Sequence, residues 1–562
     1  MNVESINQTL INSISIVIYF VYFSCIGSTV SSYLYNESSK TKLENFVRFN
    51  IIGLFVNYII LAIWNLFQPL NYLIFLFTII ITLPSIYSFI QYWFDIKIEK
   101  KSNNSLWIPI LIQIIFILWI SNLSLKTLIY EEGYYIQKIR WAQQYPLIPG
   151  LGNLFDHYGL DSSLFLYVAI LERIPLFNGA LWNFSGYLFS LGFLYFFVIP
   201  FHTTYRNKYV YKASDLMRVL FTPILINYCF YMHPGPNNDI PIFIFGSFLS
   251  IEFFRMIFEN NNNFDVILMC ILIGFTSKLS FLPAATFCIL FIILNNLYGL
   301  YGILRKHRYI LFLSILTITL QLHRNIVLTG YPLFPFDGIS VPVKWKMDEE
   351  KVISLSKSIT DWAKGKRVKN TDINLRKIKY DWMKSRLFIQ HKRIELFYPL
   401  ILAIIGLLYV LYKKSFNWKK YLIFSIPAMS QMMMWFFYAP DSRFSSFGFW
   451  WLGSGLFCFI IKDLFQKLSF WIIALILLLL SFSIHTIDYI GSKKNILIYK
   501  PSNYSILMPD TFKYKTKSEL EVFVPKRALY CGDSPLPCTT TPDSNLSLIK
   551  KDSIEYGFYL ND

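Results

Sequence analysis

Charge is scarce in this chain. Asp, Glu, Lys and Arg make up 15% of its 562 residues, against about 25% in an ordinary soluble domain. So few charges cannot coat a water-facing surface, which excludes a soluble enzyme and a disordered chain. Cysteine is rarer still, at seven residues, so the chain is no disulfide scaffold. The seven His residues are scattered and form no H-E-x-x-H zinc motif. No G-x-x-x-x-G-K-[ST] loop for nucleotide phosphates and no G-x-S-x-G nucleophile elbow occurs. Lys plus Arg minus Asp plus Glu is 52 − 34 = +18, an excess that in a soluble domain would suggest nucleic acid. Here the basic residues sit in loops between apolar blocks, and no nucleic-acid partner is expected.

Apolar residues are plentiful and come in blocks such as "WIPILIQIIFILWI" (107–120) and "FWIIALILLLLSF" (470–482). About 20 such residues cross a hydrocarbon core of about 30 Å, and spans in lipid must be helices or closed barrels to satisfy their backbones. The expected fold is an all-α integral membrane protein of roughly 14 transmembrane helices, near 11–33, 49–66, 72–93, 107–124, 181–201, 215–232, 240–257, 264–278, 281–299, 309–327, 397–412, 421–437, 446–461 and 469–487. The first stretch lacks a basic start and is expected to remain as a span rather than a cleaved leader.

The short loops orient the bundle. One set reads "ESSKTK" (37–42), "DIKIEKK" (95–101), "YRNKYVYK" (205–212), "LRKHR" (304–308), "YKKSFNWKK" (412–420) and "KDLFQK" (462–467). The alternate set, "QPLNY" (68–72), "HPGPNND" (233–239) and "APDSRF" (439–444), holds one Lys or Arg in total. Basic residues gather on the cytoplasmic side, so both termini are expected outside. A transmembrane domain over 1–487 then carries exterior loops at 125–180 and 328–396, followed by an exterior tail at 488–562. Five cysteines fall inside spans, where a lone thiol acts as a small apolar residue. Cys531 and Cys538, in "YCGDSPLPCTT", face an oxidising compartment and read as a local disulfide, with a metal pair as the lesser alternative.

Polar groups at membrane depth or at the outer mouth are costly and therefore informative. In "YEEGYYIQKIRWAQQYPLIPGLGNLFDHYGLDSS" (130–163), Glu131 and Glu132 follow a span directly. Either is placed to act as a general base toward a hydroxyl, or to hold a divalent cation beside a phosphate; the plain alternative is an acid pair that solvates a loop. The stretch after them, with Gln137 among its polar groups, reads as a short helix lying along the interface. In "MHPGPNNDI" (232–240), His233, Asn237 and Asp239 are candidate ligand contacts, or the caps of an ordinary turn. In "QLHRNIVLTGYPLFPF" (321–336), His323 and Arg324 end a span with no acid close in sequence, and such an Arg suits a lipid phosphate; snorkelling is the alternative. Asp441 and Arg443 in "APDSRF" either pair with each other or leave Arg443 to join Arg324 around a phosphate, and Lys278 in "FTSKLSFLP" is a lone cation between two spans, placed for snorkelling or for phosphate binding. The loop at 328–396 holds 15 Lys and Arg against 8 Asp and Glu, a balance that attracts anionic lipids.

The ordered motifs "YYIQKIRW…YPLIPGLGNLF…DSS", "RNIVLTGYPLFPF", "APDSRF" and "CGDSPLPCT" resemble a group of bacterial polytopic membrane proteins. That group in turn looks distantly like the GT-C superfamily of polyprenyl-phosphate-sugar glycosyltransferases. The resemblance implies sugar transfer from a polyprenyl-phosphate donor to an envelope glycan or lipid at the outer face of the bacterial cytoplasmic membrane. Glu131 or Glu132 would take the acid's part, and Arg324, Arg443 and Lys278 the phosphate's. No cofactor is specified beyond a possible divalent cation. A flippase for lipid-linked oligosaccharide, or a glycan polymerase or ligase, is the competing expectation.

Overall fold

The computed structural model describes residues 3–34, 41–94, 107–123, 133–172, 183–206, 211–232, 235–261, 263–295, 302, 305–364, 393–413, 417–464, 470, 472–479, 481, 508–527 and 530–561. Helices dominate. In chain order they are α1 (Val3–Leu34), α2 (Lys42–Phe67), α3 (Tyr72–Phe94), α4 (Trp107–Leu123), α5 (Gly133–Gln144), α6 (Leu151–Leu154), α7 (Ser163–Leu171), α8 (Asn183–Phe193), α9 (Ile199–Arg206), α10 (Ala213–Leu220), α11 (Thr222–Tyr231), α12 (Asp239–Phe258), α13 (Phe264–Ser277), α14 (Leu282–Asn295), α15 (Arg308–Thr329), α16 (Glu349–Ala363), α17 (Tyr398–Tyr412), α18 (Trp418–Tyr438) and α19 (Ser446–Leu464).

Among the described residues, six helical stretches are long and apolar enough to cross a membrane: Ile6–Ser31, Lys42–Phe67, Asn183–Tyr205, Asp239–Phe258, Arg308–Thr329 and Ile394–Tyr412. The fourteen expected spans are thus not all matched by helices of spanning length. The stretch expected at 215–232 is two short helices, α10 and α11, broken at Phe221 with Pro223 just inside the second. Proline there fits a helix start because its missing N–H is unneeded. The span expected at 264–278 ends at Lys278, whose backbone is extended. Most of the basic loops and much of 469–487 lie outside the described residues.

Close backbone approach holds α1 on α2. A Cβ on Gly27 would sit 1.8 Å from the Phe49 carbonyl oxygen, and one on Gly53 would sit 1.9 Å from that of Phe23. Small residues at crossings are how helices associate where no hydrophobic drive separates them from lipid.

The helix ends sort into two polar poles. At one, Glu44 opens α2, Asp215 and Arg218 lie on α10, and Glu252 and Arg255 end α12. Arg218 pairs with Glu44 at 3.1 Å and Arg255 with Glu252 at 3.0 Å. A π-turn over Leu194–Val198, between α8 and α9, brings the Tyr195 hydroxyl to donate to Glu252.

At the other pole sits a polar cap that joins three distant parts of the chain. The tail forms two antiparallel ribbons, β1 (Thr511–Lys515) with β2 (Glu521–Pro525) and β3 (Leu546–Leu548) with β4 (Phe558–Leu560). The Cys531–Cys538 disulfide is present, with the Cα atoms 6.1 Å apart. Val522, Val524, Leu546 and Phe558 from the tail pack on Trp141, Ile148, Leu151 and Tyr158, and Phe558 donates its N–H to the Pro149 carbonyl. A boundary at 487 therefore cuts the chain but not the cap, because the tail's apolar face is covered by the segment around α5 and α6.

Candidate functional site

Helix α5 is the axis of the cap. The sequence suggested a helix lying along an interface, but Ile136, Gln137, Lys138, Ile139 and Trp141 are all buried. The tail covers it: Gln137 Nε2 donates to the carbonyls of Gly532 and Ser534 at 3.0 and 2.8 Å. Arg140 forks onto Asp533 at 2.6 and 3.1 Å. Gln137 thus ties the tail to α5 through its amide nitrogen.

Below α5 lies a first charged cluster. Arg324, near the end of α15, is 2% exposed. Its guanidinium grips Asp161 twice, Nε to Oδ2 at 2.8 Å and Nη2 to Oδ1 at 3.3 Å, and reaches Asn65 Oδ1 at 3.1 Å. The expectation of an Arg without an acid is corrected here. The acid lies 163 positions upstream, invisible to any local reading, and a buried guanidinium without one would be prohibitively costly. Lys138 Nζ stands 3.9 Å from Asp161 and donates to the Tyr158 carbonyl at 2.7 Å. Burial pushes the Lys138 amine down to about 8, against the pull of Asp161. The same groups line a cavity of about 20 Å³, room for about one water. His323, next to Arg324, is exposed and takes no part.

A second cluster gathers residues from three separate turns. Asp239, in the first turn of α12, holds Lys278 Nζ at 2.5 Å and lies 3.9 Å from Arg443 Nε. Arg443 also donates through Nε to Asp441 at 3.2 Å. The Lys278 ammonium sits 3.6 Å above the Phe444 ring, and Arg443 lies 5.0 Å over Trp362, both favourable cation–π placements. The side chains of Lys278 and Arg443 are 29% and 22% exposed, whereas both carboxylates are 5% exposed. The acids form the floor and the cations the rim. Asn237, in the turn before α12, accepts the Asp239 N–H at 2.9 Å.

The aromatic start of α5 flanks this cluster. Tyr134 and Tyr135, with ring centroids 4.3 Å apart, lie within electrostatic range of Asp239 and Arg443, and desolvation pushes both phenols up, so both remain neutral donors. Glu395, carried on a π-turn over Arg393–Phe397, is buried within range of the Tyr228 hydroxyl. Ser163 and Ser277 meet at 3.2 Å, linking the segments that bear Asp161 and Lys278. Arg324 is held by Asp161 and Asn65, whereas Arg443 faces Asp239, Asp441 and Trp362. Glu131, Glu132 and His233 lie outside the described residues. Among the described residues no three His, Cys, Asp or Glu side chains form a metal-holding group.

A family model covers both clusters. It matches residues 10–451 and carries the description Domain of unknown function (DUF8201). The chain belongs to the DUF8201 family. The DUF8201 match takes in α5, Asp161, Asp239, Lys278, Arg324 and Arg443, and it stops before the disulfide-bearing tail. No curated protein matches this DUF8201 member, and neither does any solved structure.

Proposed function

We propose that this chain transfers a sugar from a polyprenyl-phosphate donor to an envelope glycan or lipid, with its cap at the outer face of a bacterial cytoplasmic membrane, both termini outside and roughly fourteen membrane crossings. The observation that carries the reading is the convergence of Asp239, Lys278, Asp441 and Arg443 from three turns onto one partly open rim. Two cations over buried acids, at the mouth of an apolar helix bundle, suit a phosphate whose lipid chain lies between helices. Arg324 is withdrawn from that role, since it is 2% exposed and Asp161 and Asn65 hold its guanidinium.

Glu131 and Glu132 precede Tyr134 by three and two residues, and Tyr134 flanks the rim. In this reading one of them takes the proton from the acceptor hydroxyl. The hydroxyl oxygen bonds to the anomeric carbon, and the bond from that carbon to the phosphate oxygen breaks. The polyprenyl phosphate leaves with the electron pair, its charge met by Lys278 and Arg443. General-base removal typically costs about 10²–10⁴ in rate. The double variant Glu131→Gln with Glu132→Gln should therefore lose transfer of labelled sugar by that factor while remaining inserted and folded. Undiminished transfer would end the assignment.

A flippase for lipid-linked oligosaccharide is the second reading, favoured by the buried Glu44, Arg218, Glu252 and Arg255 network at the opposite pole. It predicts donor translocation across proteoliposomes without any new glycosidic bond.

A further inference from the structure

The cap holds a cavity that neither charged cluster uses. Its volume is about 560 Å³, within the range of about 300–1,000 Å³ typical of small-molecule sites. Three segments remote in sequence wall it: residues 152–156, one face of α16, and the tail at Tyr514 and 541–544. Lys351 on α16 closes one side by pairing with Asp543 at 2.7 Å.

The chemistry of the wall narrows the occupant. Asp156 and Asp543 set two carboxylates against the single ammonium of Lys351, so a phosphate or other anion meets net repulsion. Acceptors dominate. Asn153, 5% exposed, spends its amide hydrogens on the Trp345 and Phe558 carbonyls at 2.9 and 3.4 Å, and its Oδ1 has no hydrogen-bond partner among the described residues. A buried acceptor left without a donor is costly. Aromatic rings of Phe155 and Tyr514 complete the wall, apolar surface of the kind C–H groups pack against. Two carboxylates, an unpartnered amide oxygen, several hydroxyls, aromatic rings and no net positive charge together suit a neutral ligand rich in hydroxyl groups.

We propose that this cavity binds a neutral saccharide of a few sugar units. The site also has a physical route to the charged rim. The Phe155 ring stacks on His157 at 5.0 Å, and His157 meets the Tyr134 ring at 5.4 Å. The inference holds whether or not the chain transfers sugars, because binding here needs neither Glu131 nor Glu132.

The test uses the full chain in lipid nanodiscs free of glycoside detergent. Isothermal titration with maltotriose, cellotriose, triacetylchitotriose and, separately, inorganic phosphate reads binding directly. At least one trisaccharide binds the wild type and phosphate does not. Asp156→Asn and Asp543→Asn, both isosteric, each weaken that binding about tenfold, since a charged acceptor becomes a neutral one. Should one variant misfold, the other carries the test. Binding of none of the three sugars, binding unmoved by a folded variant, or phosphate binding lost in these variants overturns the proposal. Absence of sugar transfer by the wild type, with intact trisaccharide binding, would instead count against the catalytic reading alone.

Discussion

Asp239 and Lys278 meet at 2.5 Å although 39 residues separate them, and the contact fixes the turn after α13 against the first turn of α12. Through the same carboxylate Asp239 faces Arg443 from a third turn. One buried acid thus sets the spacing of two cations.

Removing either cation should weaken donor binding without unfolding the chain, because both are partly exposed. Lys278→Gln and Arg443→Gln should each cost about 1.5–3 kcal/mol of donor affinity, the worth of a hydrogen bond to a charged group. Titration with a short-chain polyprenyl-phosphate sugar measures this. Unchanged affinity in both variants removes the phosphate role.

Arg324 makes the opposite prediction. Arg324→Met strands Asp161 in a buried setting and should destabilise by about 3–5 kcal/mol. Adding Asp161→Asn should restore much of that. Denaturant unfolding of the two variants provides the comparison, and equal loss in both would show that the pair is not the reason Arg324 is there.

Much of this plan was legible in the sequence. Long apolar blocks announced helices, and the lone charges Lys278, Asp239, Asp441 and Arg443 were each visible as anomalies. What no local pattern reveals is partnership, since Asp239 and Arg443 lie about 200 positions apart. Nothing local in "DHYGLDSS" sets Asp161 apart. The missing signal was Arg324 itself, for a buried guanidinium demands an acid somewhere. Likewise Glu252 and Arg255 inside "SIEFFRMIF" marked the opposite pole, where charge within an apolar helix implies a partner. The short helix expected there is α5, and what no local pattern reveals is that a tail some 390 residues downstream folds over it.

Lys138 gives the stability a pH signature. Its amine lies at about 8 in the fold, below the ordinary lysine value of 10.5, so the unfolded chain holds the proton more tightly. Between about pH 8 and pH 10.5 the unfolded state binds more protons, and stability therefore rises with pH across that window. Below about pH 8 the gain is absent. Thermal unfolding at pH 7 and pH 9.5 should show it in the wild type, and Lys138→Met should abolish it.

Replacing Cys531 and Cys538 by Ser should loosen the tail by about 2–4 kcal/mol, the usual worth of such a closure. Limited proteolysis should then cut between residues 508 and 561 faster than in the wild type. Equal cutting rates would show that the packing of Val522, Val524 and Phe558 holds the tail unaided.

The grip of Gln137 on Gly532 spans 395 positions of polypeptide. At synthesis rates of about 5–20 residues per second, that interval lasts roughly 20–80 s. Throughout it the amide of Gln137 and the fork of Arg140 must wait for partners the ribosome has yet to make. Biogenesis is therefore ordered: the helices come first and their lid is sealed last.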